Sequence, residues 1–253
     1  MDMVGRLAGK RIIITGGVNN IGGEAVRLFI AEGARVVIAD IDETGGKEAA
    51  VRHGPAAIFL RVDVTDEESV KNMVHDGVAW LGGLDALCQN AGLQYAGPIE
   101  ELDALRWDRL FAVNTRGIFF GVKYAVPYLR RAGGGAIVNM ASLAGKRGAP
   151  GVAGYCASKG AVVAFGNALA LELAKDRIRV NTICPGWIDT PFNDAAIAHM
   201  GGRERQAEFV RQVVPLGRQG TPSEVAPLYV YLASDESSYM TGQALVVDGG
   251  IYN

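Results

Sequence analysis

The chain has 253 residues, 49% of them apolar, and a formal net charge of -2. That length fits one large α/β domain or two small ones, with enough apolar residues to bury a substantial core. The charge balance, without a basic stripe, argues against nucleic acid as the main ligand; no apolar run approaches the roughly 20 residues of a spanning helix, and the opening MDMVGRLAGK lacks the apolar stretch of a secretory signal, so a soluble cytoplasmic protein is expected.

In chain order, apolar runs rich in Val and Ile predict strands at residues 11–15, 35–40, 56–62, 84–89, 135–142, 179–185 and 244–248. Their nearly continuous apolar character suits strands buried on both faces, as in a parallel sheet. Between them lie amphipathic segments. In the first, Ile21, Ala25, Leu28 and Phe29 recur at helical spacing and Gly33 is a plausible stop. Later helices are predicted at about 66–80, 103–131, 152–175 and 223–233. Strand and helix in alternation mean βαβ units: one α/β domain over 1–253 with a Rossmann-like, doubly wound parallel sheet of about seven strands. The long excursion at 188–214 follows the carboxyl end of a strand, where ligands sit in such sheets, and reads as a substrate lid or as a plain surface excursion. Cys88, Cys156 and Cys184 read as reduced thiols without C-x-x-C spacing, and His53, His75 and His199 are scattered, so no metal site is expected.

The stretch TGGVNNIGG, residues 15–23, joins the first strand to the first helix. It departs from the usual G-x-G-x-x-G dinucleotide fingerprint. The physical logic survives, because N–H groups and the dipole at a helix start attract a pyrophosphate. Gly16 and Gly22 let the backbone approach a ligand, Asn19 offers a side-chain amide to a phosphate oxygen, and Ile21 follows in the same loop. Asn20 stands at the odd position; asparagine tolerates left-handed backbone angles and so keeps the turn. Asp40 ends the second strand, where a carboxylate accepts from the adenosine ribose hydroxyls and repels the extra phosphate of NADP. No Lys or Arg sits in the loop and Ile41 follows Asp40, so NAD is the expected cofactor; otherwise Asp40 caps the helix near Glu43. Asp63 and Val64 end the third strand at the same edge, beside an adenine ring or as an ordinary turn.

Tyr155 and Lys159, in YCASK, are four apart on a helix and share a face. An ammonium about 4 Å from a phenol, at an effective dielectric of about 20, favours the phenolate by roughly 4 kcal/mol, or about three pKa units. That moves a tyrosine towards neutral pH, where general acid–base catalysis wants it. Ser142 ends the fifth strand within reach of the same pocket. Asn114 is a polar amide in an apolar helix and needs a partner. Pro185-Gly186 closes the sixth strand and Thr190 follows.

These motifs, together with QNAG at 89–92 and VDGG at 247–250, stand in the order and spacing of the short-chain dehydrogenase/reductase family, which the chain resembles over essentially its whole length. Asn20 replaces the family's middle glycine and Gln89 its usual first Asn. The resemblance implies an NAD-dependent oxidoreductase that moves hydride between nicotinamide and a secondary alcohol or ketone. It implies Tyr155 as general acid/base and Ser142 on the substrate oxygen. Lys159 would lower the Tyr pKa and hold the nicotinamide ribose, and Asn114 would position a relay water. Asn90, Ala91 and Gly92 would line the adenosine-ribose side, and Pro185, Gly186, Ile188 and Thr190 the nicotinamide. It also implies a homotetramer joined through the two long helices. Gln94, Tyr95, Leu143, Trp187, Phe192, His199 and Met200 are candidates to line a neutral, fairly hydrophobic small-molecule substrate, and Arg147 holds an acid group or is plain surface. The alternative is a catalytically silent NAD-binding sensor or scaffold of the same fold, and a sugar epimerase or dehydratase is disfavoured by the lack of a sizeable C-terminal substrate domain.

Overall fold

The structure, a computed structural model, describes residues 5–252. Seven strands form one parallel sheet in the order β3-β2-β1-β4-β5-β6-β7. They are β1 (Arg11–Thr15), β2 (Arg35–Asp40), β3 (Ala57–Arg61), β4 (Ala86–Gln89), β5 (Gly135–Met140), β6 (Ile178–Pro185) and β7 (Ala244–Val247). Every strand expected from the apolar runs is present. Ile12, Ile13 and Ile14 are all fully buried, as strands covered on both faces require. The order reverses between β1 and β4, and this switch point opens a crevice at the carboxyl edge of the sheet.

Helices cover both faces. Helix α1 (Asn20–Ala31) and α2 (Glu43–His53) lie on one side with the later α9 (Pro222–Ala233); there Phe29 and Tyr229 meet edge to face, 6.3 Å between ring centroids. Helix α3 (Glu67–Leu81), α4 (Ala104–Phe111), α5 (Gly117–Arg131) and α6 (Ala153–Leu173) lie on the other, α3, α5 and α6 closing the second half of the core. Helix α2 is expected from the sequence only as a helix near Glu43, without an extent, because Gly45 and Gly46 weaken its helical signature. Packing supplies what propensity lacks: a Cβ on Gly46 would meet the Phe59 ring of β3 at 2.1 Å, and Asp42 accepts from Gly45 N–H at 3.0 Å as N-cap.

Two expectations need correction. The helix expected over 103–131 is interrupted by a π-helical turn, Ala112–Arg116, between α4 and α5. Such turns concentrate at functional sites, and this one carries Asn114. Helix α6 is also long and apolar enough, by length and composition alone, to cross a membrane, contrary to the reading of its sequence. Its buried face, including Val162, Leu169 and Leu173, packs on the sheet instead. After β6 come α7 (Asp194–His199) and α8 (Arg203–Val213), the region expected as a lid.

Candidate active site

The turn from β1 into α1 uses two left-handed residues, Gly16 at φ 64° and Asn20 at φ 53°. Asn20 therefore does what its residue type suggests. Gly22 is sterically obligatory: a Cβ there would stand 1.9 Å from the Gly16 carbonyl oxygen and 2.6 Å from Asn90 Nδ2. Asn90 pins the turn from the neighbouring strand end, donating its amide to Gly16 O at 2.8 Å. Asn19 is the N-cap residue of α1, yet its side chain makes no capping bond, which leaves the amide for a ligand at the helix start. We expect Asn20→Gly to change NAD affinity by less than about threefold or to improve it, since glycine adopts the same turn; a larger loss in a binding titration would mean that the Asn20 side chain itself holds the ligand.

Asp40 is engaged by backbone amides on both oxygens, from Val18 N at 3.2 Å and Asp42 N at 3.2 Å. The N-cap of α2 is Asp42, so Asp40 is not that helix's cap. One basic residue does stand at this edge: Arg61 lies opposite Asp40 in the β2–β3 register, a neighbour that sequence distance concealed. It is exposed and is not part of the cleft lining. Asp63 accepts from Thr65 N at 2.9 Å and Thr65 Oγ1 at 2.7 Å through one oxygen. Burial pushes its carboxyl up, but the Thr65 bonds and the nearby charges of Arg109 and Arg61 outweigh it and hold the group below its ordinary value.

At the other end of the cleft, α6 brings Tyr155 and Lys159 beneath the end of β5, where Ser142 lies. Lys159 is 1% exposed, and its Nζ donates to Met140 O at 2.8 Å and sits 5.8 Å from the Tyr155 ring centroid. Ser142 Oγ accepts from Ala144 N–H at 3.1 Å, which fixes the serine at the head of a 3-10 turn. The electrostatics differ from the expectation based on the pair alone. Burial pushes the Tyr155 phenol up, with the Ser142 hydroxyl pulling the other way, and burial pushes Lys159 down to about 8. In the field of the folded chain the tyrosine therefore holds its proton at neutral pH; desolvation outweighs the hydrogen bond from Ser142.

Asn114 is fully buried in the π turn. Leu93 N–H donates to its Oδ1 at 2.7 Å, while its Nδ2 donates to Leu93 O at 2.8 Å and Ser158 Oγ at 3.0 Å. The side chain thus ties the segment after β4 to α6. A Cβ on Gly92 would lie 3.4 Å from Lys159 Nζ and 3.6 Å from Asn114 Oδ1, so the amine and the amide flank the same point.

A cleft of about 560 Å³ joins these parts, inside the usual range for small-molecule sites. It is lined by Gly16, Asn19, Asn20 and Ile21 of the loop, by Asp40, Ile41, Asp63 and Val64 of the β2 and β3 ends, and by Asn90, Ala91 and Gly92 after β4. Ser142, Tyr155, Lys159, Pro185, Gly186, Ile188 and Thr190 complete its far end. Of the substrate candidates, Gln94, Tyr95 and Phe192 line it, with the Phe192 and Tyr155 rings 6.1 Å apart. Gln94 Oε1 is buried there without a partner among the described residues.

Other candidates fall elsewhere. Gly22 and Asn114 stand just behind the lining. Leu143 is buried under Ser142, and Trp187 turns away onto Phe209 of α8, 6.3 Å between ring centroids. His199 packs against Gly151, neither it nor Met200 lines the cleft, and Arg147 donates to Ile251 O at 3.0 Å. Lining residues that motif reading missed include Val62, Leu93, Arg109, Val113, Met140, Ala141 and Asn193. Arg109 and Val113 lie four apart on the helical segment leading to Asn114, a spacing that marks them as one face. Among the described residues no three His, Cys, Asp or Glu side chains gather as a metal site.

A family model described as enoyl-(acyl carrier protein) reductase matches residues 16–252. The chain is 40% identical over 251 residues to a 2,5-dichloro-2,5-cyclohexadiene-1,4-diol dehydrogenase of Sphingobium indicum, covering 98% of both chains. It is 41% identical over 248 residues to a 3-alpha-(or 20-beta)-hydroxysteroid dehydrogenase of Mycobacterium tuberculosis, covering 98% of this chain and 91% of the relative. Among solved structures it superposes on a 3-ketoacyl-(acyl-carrier-protein) reductase from Brucella melitensis complexed with NADH, with a TM-score of 0.90, 32% identity, and coverage of 98% and 100% of the two chains.

Proposed function

From the premise that the chain belongs to the short-chain dehydrogenase/reductase family, we propose that it is an NAD-dependent oxidoreductase acting on a secondary alcohol or its ketone. The observation that carries this reading is the convergence of Ser142, Tyr155 and Lys159 at one end of a cleft whose other end carries a glycine-lined helix start and Asp40.

The residues fit a dinucleotide. Gly16, Asn19, Asn20, Ile21 and Gly22 cradle the pyrophosphate, a space that a Cβ on Gly22 would destroy. Asp40 and Ile41 meet the adenosine ribose, Asp63 and Val64 the adenine, and Asn90, Ala91 and Gly92 the ribose side. Lys159, Pro185, Gly186, Ile188 and Thr190 hold the nicotinamide half. When bound, the nicotinamide supplies the two-electron chemistry as hydride acceptor or donor.

The chain's own residues handle the proton. In reduction, the Tyr155 hydroxyl donates to the carbonyl oxygen; in oxidation, its deprotonated form takes the carbinol proton. Ser142 hydrogen-bonds the same oxygen and steadies the charge that develops on it. Two hydroxyls directed at one oxygen favour carbinol and carbonyl chemistry over reduction of a carbon–carbon double bond. Lys159, held by Met140 O, keeps a cationic head beside the phenol. Asn114 positions the segment after β4 against α6 and with it the relay water. Gln94 and Tyr95, with Phe192 from the lid over residues 188–214, form the substrate wall, and this wall suits a fairly hydrophobic substrate.

Absorbance of reduced nicotinamide, followed while the protein meets NAD and a panel of secondary alcohols, tests the activity. Tight NAD binding with no turnover of any alcohol would favour the silent sensor. Cofactor choice has its own test. We expect Asp40→Ala to raise the KM for NAD by about 10- to 100-fold, the worth of hydrogen bonds to a charged group, and to narrow the preference over NADP. An unchanged preference in paired kinetics would mean that Asp40 serves only Val18 and Asp42.

A cytoplasmic homotetramer belongs to the same proposal. The three thiols are free, as in a reducing compartment. Leu105 at 82% and Phe119 at 44% exposure on α4 and α5, with Leu171 at 85% on α6, supply apolar surface for packing between subunits.

A further inference from the structure

One charged side chain at the adenosine end has no role so far. Arg109 lies on α4, one helical turn before Val113, and both line the cleft. Its charge reaches Asp63, two residues beyond the end of β3 and also in the cleft lining. Arg106 on the same helix is held by Asp103, and Arg130 on α5 by Asp176. Arg109 makes no salt bridge or side-chain hydrogen bond among the described residues, so its five N–H donors are unspent.

The surroundings are those of a slot for a flat ring. Val62, Val64 and Val113 give an apolar wall, and Val64 is fixed by the start of α5: a Cβ on Gly117 would stand 2.9 Å from Val64 O. Asp63 spends one oxygen on Thr65, and among the described residues its other oxygen has no donor. An aromatic base against that wall would present its opposite face or its edge to the opening, where a planar guanidinium stacks on π systems and an ammonium does not.

Resting on the cofactor reading above, we propose that Arg109 is the adenine-capping residue of this site: its guanidinium closes over the base and, with Asp63, selects an adenine-bearing ligand. It contributes to affinity and not to the chemical step, which lies at the opposite end of the cleft. An ordinary solvated arginine would leave binding unchanged on removal.

The test is calorimetric titration of AMP, ADP-ribose, NAD and nicotinamide mononucleotide into wild type, Arg109→Ala, Arg109→Lys and Arg61→Ala, with melting temperatures measured alongside. Arg109→Ala should weaken AMP, ADP-ribose and NAD by a common factor of about two- to fivefold. It should leave nicotinamide mononucleotide affinity and the melting temperature unchanged. Arg109→Lys should restore only part of the loss, because the point charge keeps the attraction and loses the stacking. Arg61→Ala, outside the lining, should match wild type for all four. Equal affinities in wild type and Arg109→Ala, or full rescue by lysine, would overturn the capping role while the cofactor reading stands. A wild-type protein that binds neither NAD nor ADP-ribose would overturn both.

Discussion

Replacing Tyr155 with phenylalanine is expected to lower kcat/KM by about 10²- to 10⁴-fold, the usual worth of a positioned acid–base group, with NAD affinity essentially retained. The substitution removes one oxygen and keeps the ring that packs 6.1 Å from Phe192. The pH dependence has a definite sign. Burial pushes the Tyr155 pKa above its ordinary value, so the phenol keeps its proton throughout the neutral range. That is the form needed to reduce a carbonyl. Reduction by the wild type should therefore be flat near neutrality and fall at alkaline pH. Oxidation should rise as pH increases, because it needs the deprotonated form. Lys159 titrates at about 8, so its charge leaves on the same alkaline side and limits the oxidative rise. Stopped-flow pH profiles in both directions check this, and a Tyr155→Phe enzyme that retained the wild-type rate and both limbs would remove Tyr155 from the mechanism.

The second large effect is expected at Gly22. Alanine there puts a Cβ 1.9 Å from the Gly16 carbonyl oxygen, and backbone on both sides must move. The turn that carries Gly16 and Asn20 opens, and Asn90 loses its alignment on Gly16 O. NAD affinity should fall at least about tenfold, or roughly 1.4 kcal/mol. Overpacking of this kind also costs about 1–3 kcal/mol of stability, so the melting temperature should drop as well. Paired titration and thermal melts read both quantities. Wild-type affinity in Gly22→Ala would mean that the pyrophosphate does not approach this turn.

The two ends of the site were legible in the sequence for different reasons. The loop could be read because steric demand restricts residue type: Gly16 and Asn20 occupy left-handed positions that few residues tolerate. Tyr155 and Lys159 could be read because helical spacing puts them on one face. Burial was invisible, and burial reverses the direction of the Tyr155 shift that the pair alone implies. Leu143 and Trp187 were misplaced for a shared reason. Each adjoins a true lining residue, Ser142 or Gly186, but Leu143 begins a 3-10 turn and Trp187 sits in a bend after β6, where the chain changes direction between neighbours. Leu143 therefore goes into the core and Trp187 onto α8. The extent of helix α2 was hidden by two glycines, of which Gly46 serves contact with Phe59, and the π turn at Asn114 leaves no periodic trace. Arg61, distant in sequence from Asp40, becomes its neighbour only through strand register.

Direct hydride transfer is the central claim, and isotope tracing tests it most directly. A secondary alcohol turned over by the enzyme, carrying deuterium on its carbinol carbon, should be incubated with NAD and the reduced cofactor analysed by mass spectrometry. The label should be recovered on the nicotinamide ring, with none exchanged into water. Ketone formed while the label appears in solvent, or unlabelled reduced cofactor, would contradict the account.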